Sequence, residues 1–212
     1  IYVTPVILLE IKIVSSATEH IILSNNDSEY KLPERALLLQ TARDSIKFYL
    51  KNKKLLTVSL NNYPEQLQHH RACFVTLHLN NQLRGCIGSL TAYQPLILDV
   101  IQNAYSAAFR DPRFPPVSTQ ECPQLKLDIS ILTPAKPMHF SSEADLLHQL
   151  RPGVDGLILA DHGHRGTFLP SVWEQLPDPV DFLRHLKNKA GLPADYWSAT
   201  LTIENYTAEL IS

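Results

Sequence analysis

Long hydrophobic runs, paired cysteines and an excess of charge of either sign are all missing from this 212-residue chain. Each absence removes a class of protein. No run approaches the 18 or more apolar residues of a membrane span. Val6 to Leu9 and Ile11 to Val14 are apolar, but Glu10 and Lys12 interrupt them, and no signal-peptide pattern is visible. The three cysteines, Cys73, Cys86 and Cys122, are odd in number and form no C-x-x-C pair. That argues against a disulfide scaffold and leads to the expectation of a reducing, cytoplasmic compartment. The formal net charge is -2, without the basic excess that a duplex nucleic-acid binder carries. Only Lys31 to Lys54 is locally basic, and a solvated helix face is the simpler reading of it. There is no G-x-G-x-x-G, P-loop, G-x-S-x-G or H-E-x-x-H, which argues against an ordinary nucleotide-dependent enzyme or serine hydrolase.

What is present is the composition of a globular protein, with 44% hydrophobic and 19% charged residues. The length suits one large domain or two intertwined lobes. Residues 1–30 are left unassigned and residues 31–212 are read as the domain. Helical spacing runs from Pro33 to Lys51 through Leu37, Leu38, Ala42, Ile46, Tyr49 and Leu50. Asn52 to Gln68 reads as a loop. Ala72 to Leu79 is a strand, Asn80-Asn81 a tight turn, and Leu83 to Leu90 the returning strand. Pro95 opens a helix to about Phe109, halted by Asp111-Pro112. Leu125 to Leu132 alternates as a strand. The order then recurs: a short helix over Ser142 to Leu150, a strand over Asp155 to Ala160, a turn over Asp161 to His164, and a returning strand. A helix from Asp178-Pro179 comes next, ended near Gly191, and a final strand covers Trp197 to Glu204.

Arg84-Gly85 in the first turn unit corresponds to Arg165-Gly166 in the second. The expectation is an α+β fold made of two related β/α units from an internal duplication, about 33–135 and 140–210. Two lobes would leave a cleft where the Arg-Gly strands approach. Two unrelated hairpins are the alternative.

Leu83-Arg84-Gly85-Cys86-Ile87-Gly88 is the most informative stretch. Glycine is costly inside a strand unless a bulge or a close approach requires it. Strict alternation would put Arg84 and Cys86 on one face, where a guanidinium favours the thiolate; a small buried apolar cysteine is the rival reading. Cys73 and Cys122 read as structural. In Arg110 to Pro116, Arg113 is a candidate anion binder and Asp111 an orienting group, with a plain helix stop as the alternative. Asp161-His162-Gly163-His164 and His69-His70 offer incomplete metal-ligand sets, so no metal is expected.

These residues resemble the AMMECR-type domain family. LRGCIG at Leu83 to Gly88 is similar to the family's signature, and Phe74-Val75-Thr76-Leu77 precedes it as in the family. Ala104, Ala107, Ala108, Asp111, Arg113, Phe114 and Pro116 resemble its A-x-x-A-A-x-x-D-x-R-F-x-P stretch. Arg165-Gly166 with Leu169-Pro170 and Val172, Phe182-Leu183, and Lys189-Ala190-Gly191-Leu192 match its second half. Asp155-Gly156 stands where some relatives carry His-Gly. The resemblance spans about residues 33 to 210. It implies two related β/α units and a likeness to protein A of the AmmeMemoRadiSam system, with Memo-like and radical SAM proteins as partners. It carries no established activity or cofactor. The expectation is therefore open between two readings. One is a cysteine-centred enzyme for a small anionic substrate, with Cys86 and Arg84 catalytic and Gly85, Gly88, Arg113 and Arg165 binding. The other is a non-catalytic ligand- or partner-binding module.

Overall fold

Pro33 and the near-3.6 apolar spacing after it do produce a helix: α1, Leu32–Asn52, turns Leu38, Ala42 and Ile46 inward. The computed structural model of the protein describes residues 28–212; the apolar pieces Val6 to Leu9 and Ile11 to Val14 lie outside the described residues. Leu32–Ser212 make up one structural unit. Within Asn52 to Gln68, expected as a loop, a single helical turn forms, α2, Glu65–Gln68. Pro64 precedes it, and the turn buries Leu67 completely.

Next comes a hairpin. Strands β1, Cys73–Leu79, and β2, Gln82–Gly88, are joined by Asn80 and Asn81. Their φ values of 53° and 62° lie in the left-handed region that asparagine tolerates. Helix α3, Leu96–Phe109, starts after Pro95 and stops at Arg110. Strand β3, Lys126–Leu132, is succeeded by the two-residue β4, Lys136–Pro137, and by α4, Glu143–Gln149, whose N-cap Ser142 accepts from the Asp145 N–H. A second hairpin, β5, Gly156–Asp161, and β6, His164–Phe168, turns at His162 and Gly163, again with positive φ. Helix α5, Pro179–Lys189, is capped by Asp178 and trailed by Gly191 at φ 81°. Strands β7, Thr202–Tyr206, and β8, Ala208–Ile211, complete the chain. The protein is α+β, with five α-helices and two antiparallel sheets among the described residues.

The last strands depart from expectation. Trp197 to Leu201 is not extended. Ser198 Oγ accepts from the Thr200 N–H at 3.1 Å and the Leu201 N–H reaches back to the Ser198 carbonyl at 3.3 Å. Such local bonds compete with a ladder, so β7 begins only at Thr202. Short β4 and terminal β8 had no sequence signal strong enough to read.

The sheet orders are β2-β1-β3-β8 and β4-β7-β5-β6. Each sheet takes one edge strand from the other's stretch of sequence. β4, next in the chain after β3, pairs with β7, and β8, next after β7, pairs with β3. The two crossings meet where the Thr133 N–H donates to the Thr207 carbonyl at 2.9 Å and the Thr207 N–H donates to Thr133 Oγ1 at 2.9 Å.

Helices cover one face of each sheet. In the first, α3 packs on β1, β2 and α1, with Val75, Leu77, Ile129, Val100 and Ala104 fully buried. Ser45 Oγ donates to the Ile101 carbonyl at 2.8 Å, tying α1 to α3. In the second, Leu157, Leu159 and Ile203 meet Phe182, Leu183 and Leu186 of α5. Trp173 stacks on Phe182 with centroids 3.7 Å apart. Each large side chain so buried contributes roughly 1.5–3 kcal/mol. A third, smaller cluster draws on both sheets, through Leu132, Ile158 and Tyr206 with Phe74, Leu169 and Ala208 against them.

Candidate functional site

Alternation along paired strands fixes what the other face of the first sheet carries. Phe74, Thr76, His78, Cys86, Asp128 and Ser130 share it, opposite the α3 side. Cys86 sits directly across from Thr76, and Thr76 across from Asp128. Two contacts lie within the row: Thr76 Oγ1 donates to Cys86 Sγ at 3.3 Å, and His78 Nδ1 lies 3.3 Å from Asp128 Oδ2. Cys86 is half-buried.

Arg84 does not join that row. The β1–β2 register slips between Leu77 and His78, so that Gly85 pairs with Leu77 and Leu83 with His78. Arg84 is the extra residue of a bulge, and a bulge breaks the alternation on which a shared face depends. Its guanidinium is instead held by Glu121, Nε to Oε1 at 2.8 Å and Nη2 to Oε2 at 3.3 Å. Arg84 is only 8% exposed, and its Nη1 is buried without a hydrogen-bond partner. Arg84, with the Ser118 amide, pulls the Glu121 carboxyl down to about 2. Gly85 lies on the helix side: a Cβ there would run into the Ala107 carbonyl of α3. Gly88 is on the Cys86 face, where a Cβ would overlap the Phe74 ring and the Cys73 carbonyl. Of the two glycines, one therefore admits a helix and the other a phenylalanine.

Asp111 and Arg113 meet Cys86 through its backbone. β2 is a sheet edge, and the Cys86 N–H and carbonyl face away from β1. Asp111 Oδ2 accepts from that N–H at 2.9 Å, and Arg113 Nη2 donates to that carbonyl at 3.2 Å. Asp111 also takes Arg113 Nη2 at 2.7 Å and Nε at 2.9 Å. The pair supplies one acceptor and one donor, as a neighbouring strand would, and closes an edge that would otherwise be open. Arg113, with the Cys86 and Arg113 amides, holds the Asp111 carboxyl far below the usual carboxylate range. Asp111 is buried, whereas the Arg113 side chain is 54% exposed.

The remaining candidates lie elsewhere. Arg165 is exposed on β6, across from Ala160. Asp161 is buried, accepting from Tyr196 Oη at 2.7 Å and Thr200 Oγ1 at 2.8 Å. His164 Nδ1 is 3.1 Å from the Ala190 carbonyl. Among the described residues no group of three or more His, Cys, Asp or Glu side chains is placed to hold a metal. Asp155 is fully buried in a clamp by Arg151, Nη2 to Oδ1 at 2.6 Å. Cys73 is inside the core beside Asp99; burial, with the Asp99 charge, pushes its thiol well up. Burial also raises Cys122. Sequence reasoning missed Thr76, His78 and Asp128. The signal was available in the alternation of two strands, Thr76 and His78 on one and Asp128 on the other, but their pairing was not.

The AMMECR1 family model matches residues 39–211. The chain belongs to the AMMECR1 family. It is 39% identical over 171 residues to protein MJ0810 of Methanocaldococcus jannaschii, covering 79% of this chain and 84% of that protein. A protein of Methanothermobacter thermautotrophicus is 40% identical over 163 residues, covering 76% and 84%. The fold is similar to the crystal structure of the uncharacterized protein PH0010 from Pyrococcus horikoshii, with a TM-score of 0.74 and 35% identity over 82% of this chain and 88% of that one. This AMMECR1 domain thus shares family and fold with archaeal relatives. Among the described residues no helix is long and apolar enough to cross a membrane.

Proposed function

We propose that this AMMECR1 domain carries out cysteine-centred chemistry on a small anionic substrate at the helix-free face of its first sheet. The observation that supports it is the row Cys86–Thr76–Asp128 with His78 held against Asp128. Asp128 engages His78 at Nδ1, which leaves Nε2 to accept a proton. In the proposed step the Cys86 thiol proton passes to His78, and sulfur forms a bond to an electrophilic carbon of the substrate. The electron pair displaced from that carbon moves onto the carbon's own heteroatom. Arg113, exposed at the Cys86 carbonyl, supplies a cation for an anionic group. Arg84 and Asp111 act as positioning residues, Arg84 by fixing the bulge with Glu121 and Asp111 by holding the Cys86 amide. A place beside Memo-like and radical SAM proteins belongs to the same proposal and rests on the family resemblance.

We also read the two halves as copies. The pairings support it: Thr76 with Cys86 matches Ile158 with Thr167, and Leu77 with Gly85 matches Leu159 with Gly166. Gly85 lies against Ala107 near the end of α3, and Gly166 against Ala190 at the end of α5. The second copy has Thr167 where the first has the thiol, which confines the chemistry to one half.

Thiol alkylation in the folded protein, read residue by residue by mass spectrometry, tests the site. Cys86 is expected to react first, and His78→Gln to slow it at neutral pH by about tenfold or more while leaving Cys122 unchanged. A Cys86 that stays unreactive until the protein unfolds, or that ignores His78, ends the proposal.

A further inference from the structure

The two hairpins leave the same backbone groups facing outward, yet among the described residues only one of them is covered. In a hairpin with a two-residue turn, the residues flanking the turn form a hydrogen-bonded pair, and every second pair beyond it points its N–H and C=O away from the partner strand. Around His162-Gly163, Asp161 and His164 flank the turn, so Arg165 and Thr167 of β6 present their N–H and C=O to the sheet edge. Thr167 is the counterpart of Cys86. At Cys86 the outward N–H and C=O are taken by Asp111 and Arg113. The chain leaving α5 does not repeat this. It turns at Gly191, and its polar contacts go to the tip of the hairpin, where Tyr196 and Thr200 reach Asp161. Among the described residues no side chain and no loop bonds the outward groups of Arg165 or Thr167. The β6 edge is a row of free donors and acceptors of the kind that pairs with another chain.

Its surroundings are cationic. Arg165 is exposed and makes no ion pair among the described residues. On the opposite side of β6 Lys189 stands with its Nζ 5.0 Å from the centre of the Phe168 ring. The nearest carboxylate on the hairpin, Asp161, is buried and already bonded to Tyr196 and Thr200. Positive charge thus flanks the open edge on both faces with no exposed acid on the strand to answer it.

We infer that β6 is a docking edge, and that its occupant is an extended acidic segment of a partner protein, added as a fifth strand to the second sheet. Main-chain bonds to Arg165 and Thr167 give the affinity, and acidic side chains facing Arg165 or Lys189 give the preference. A neutral or basic strand would meet the same backbone groups without that attraction. The site is separate from the thiol chemistry proposed above, and neither depends on the other.

The probe is a capped, fluorescein-labelled hexapeptide alternating glutamate and valine, titrated into the full chain at low salt, with a lysine-valine peptide as the control. The acidic peptide is expected to bind and the basic one not. In amide-resolved NMR the largest shifts are expected at Arg165, Gly166 and Thr167. Lys189→Glu should weaken binding by about tenfold, and Thr167→Pro, which removes an outward N–H that an edge can spare, should abolish it. Alkylation of Cys86 in both variants should keep the wild-type rate, which reports an intact fold and separates this result from the fate of the thiol proposal. Equal binding of the two peptides, shifts mapping away from β6, indifference to both substitutions, or a concentration-dependent dimer that buries β6 in place of peptide would each overturn the inference.

Discussion

The first and second sheets use one plan and finish it differently. Both have a positive-φ two-residue hairpin, a helix whose end packs on the glycine of an Arg-Gly pair, and an edge strand borrowed from the other's sequence. In the first, the arginine is sunk into a bulge against Glu121 and the edge is closed by Asp111 and Arg113. In the second, there is no bulge, the arginine is exposed and none of the described residues closes the edge. The same dipeptide therefore serves as a buried strut in one place and a surface cation in the other. The difference arises from the path of the chain as it leaves each helix. Asp111-Pro112-Arg113 folds back across the β2 edge, whereas Gly191 sends the chain toward β7.

The most damaging way to break this comparison is to add one methyl group to each glycine. Gly85→Ala puts a Cβ into the Ala107 carbonyl, and Gly166→Ala places one 2.9 Å from the Ala190 nitrogen and 3.0 Å from its Cβ. Both displace helix backbone, so urea unfolding should show a loss of about 3 kcal/mol for Gly85→Ala and about 1–2 kcal/mol for Gly166→Ala. Equal losses would mean that the two helix ends approach their sheets equally closely.

Truncating the arginines should give a smaller but sharper contrast. Arg84→Ala removes a buried guanidinium and strands Glu121, for a loss of about 2–3 kcal/mol, whereas Arg165→Ala should stay within about 0.5 kcal/mol. The Arg84–Glu121 pair also sets a pH dependence. Glu121 titrates near 4.5 in the ordinary case and at about 2 here. A carboxylate depressed in the folded state stabilises above its unfolded pKa and loses that contribution as pH falls through the folded one. The advantage of the wild type over Glu121→Gln should therefore be full above pH 4.5 and gone near pH 2, as followed by acid titration of unfolding. No such window is expected for Arg165→Ala.

The smallest effect concerns the position shared by Cys86 and Thr167. Thr167 Oγ1 donates to the Leu157 carbonyl at 2.7 Å and lies 3.0 Å from Tyr206 Oη. Thr167→Val should cost about 1 kcal/mol in thermal or urea unfolding. Cys86→Ala, which gives up one weak contact to Thr76, should cost less than that in stability while removing the reactive thiol. A larger stability loss at Cys86 than at Thr167 would make the cysteine a packing residue and count against the proposed chemistry.

The longer elements and their order were legible in the sequence alone, because period and punctuation are local properties. Pro33 and Pro95 set helix starts, Asn80-Asn81 and His162-Gly163 set hairpins, and Asp178 and Gly191 bounded a helix. The residues that meet at Cys86 were legible too: Asp111 and Arg113 stood out as a rigid polar turn before their target was known. How these pieces are used depends on long-range pairing, which only the folded chain displays. A bulge depends on the partner strand's register, so nothing local to LRGCIG could reveal that Arg84 leaves the Cys86 face. The row from Cys86 through Thr76 to Asp128 crosses three strands, with partners 10 residues apart in one case and far more distant in the other. Strands β4 and β8 were equally hidden, since short edge strands are defined by the ladder they join and not by their own composition.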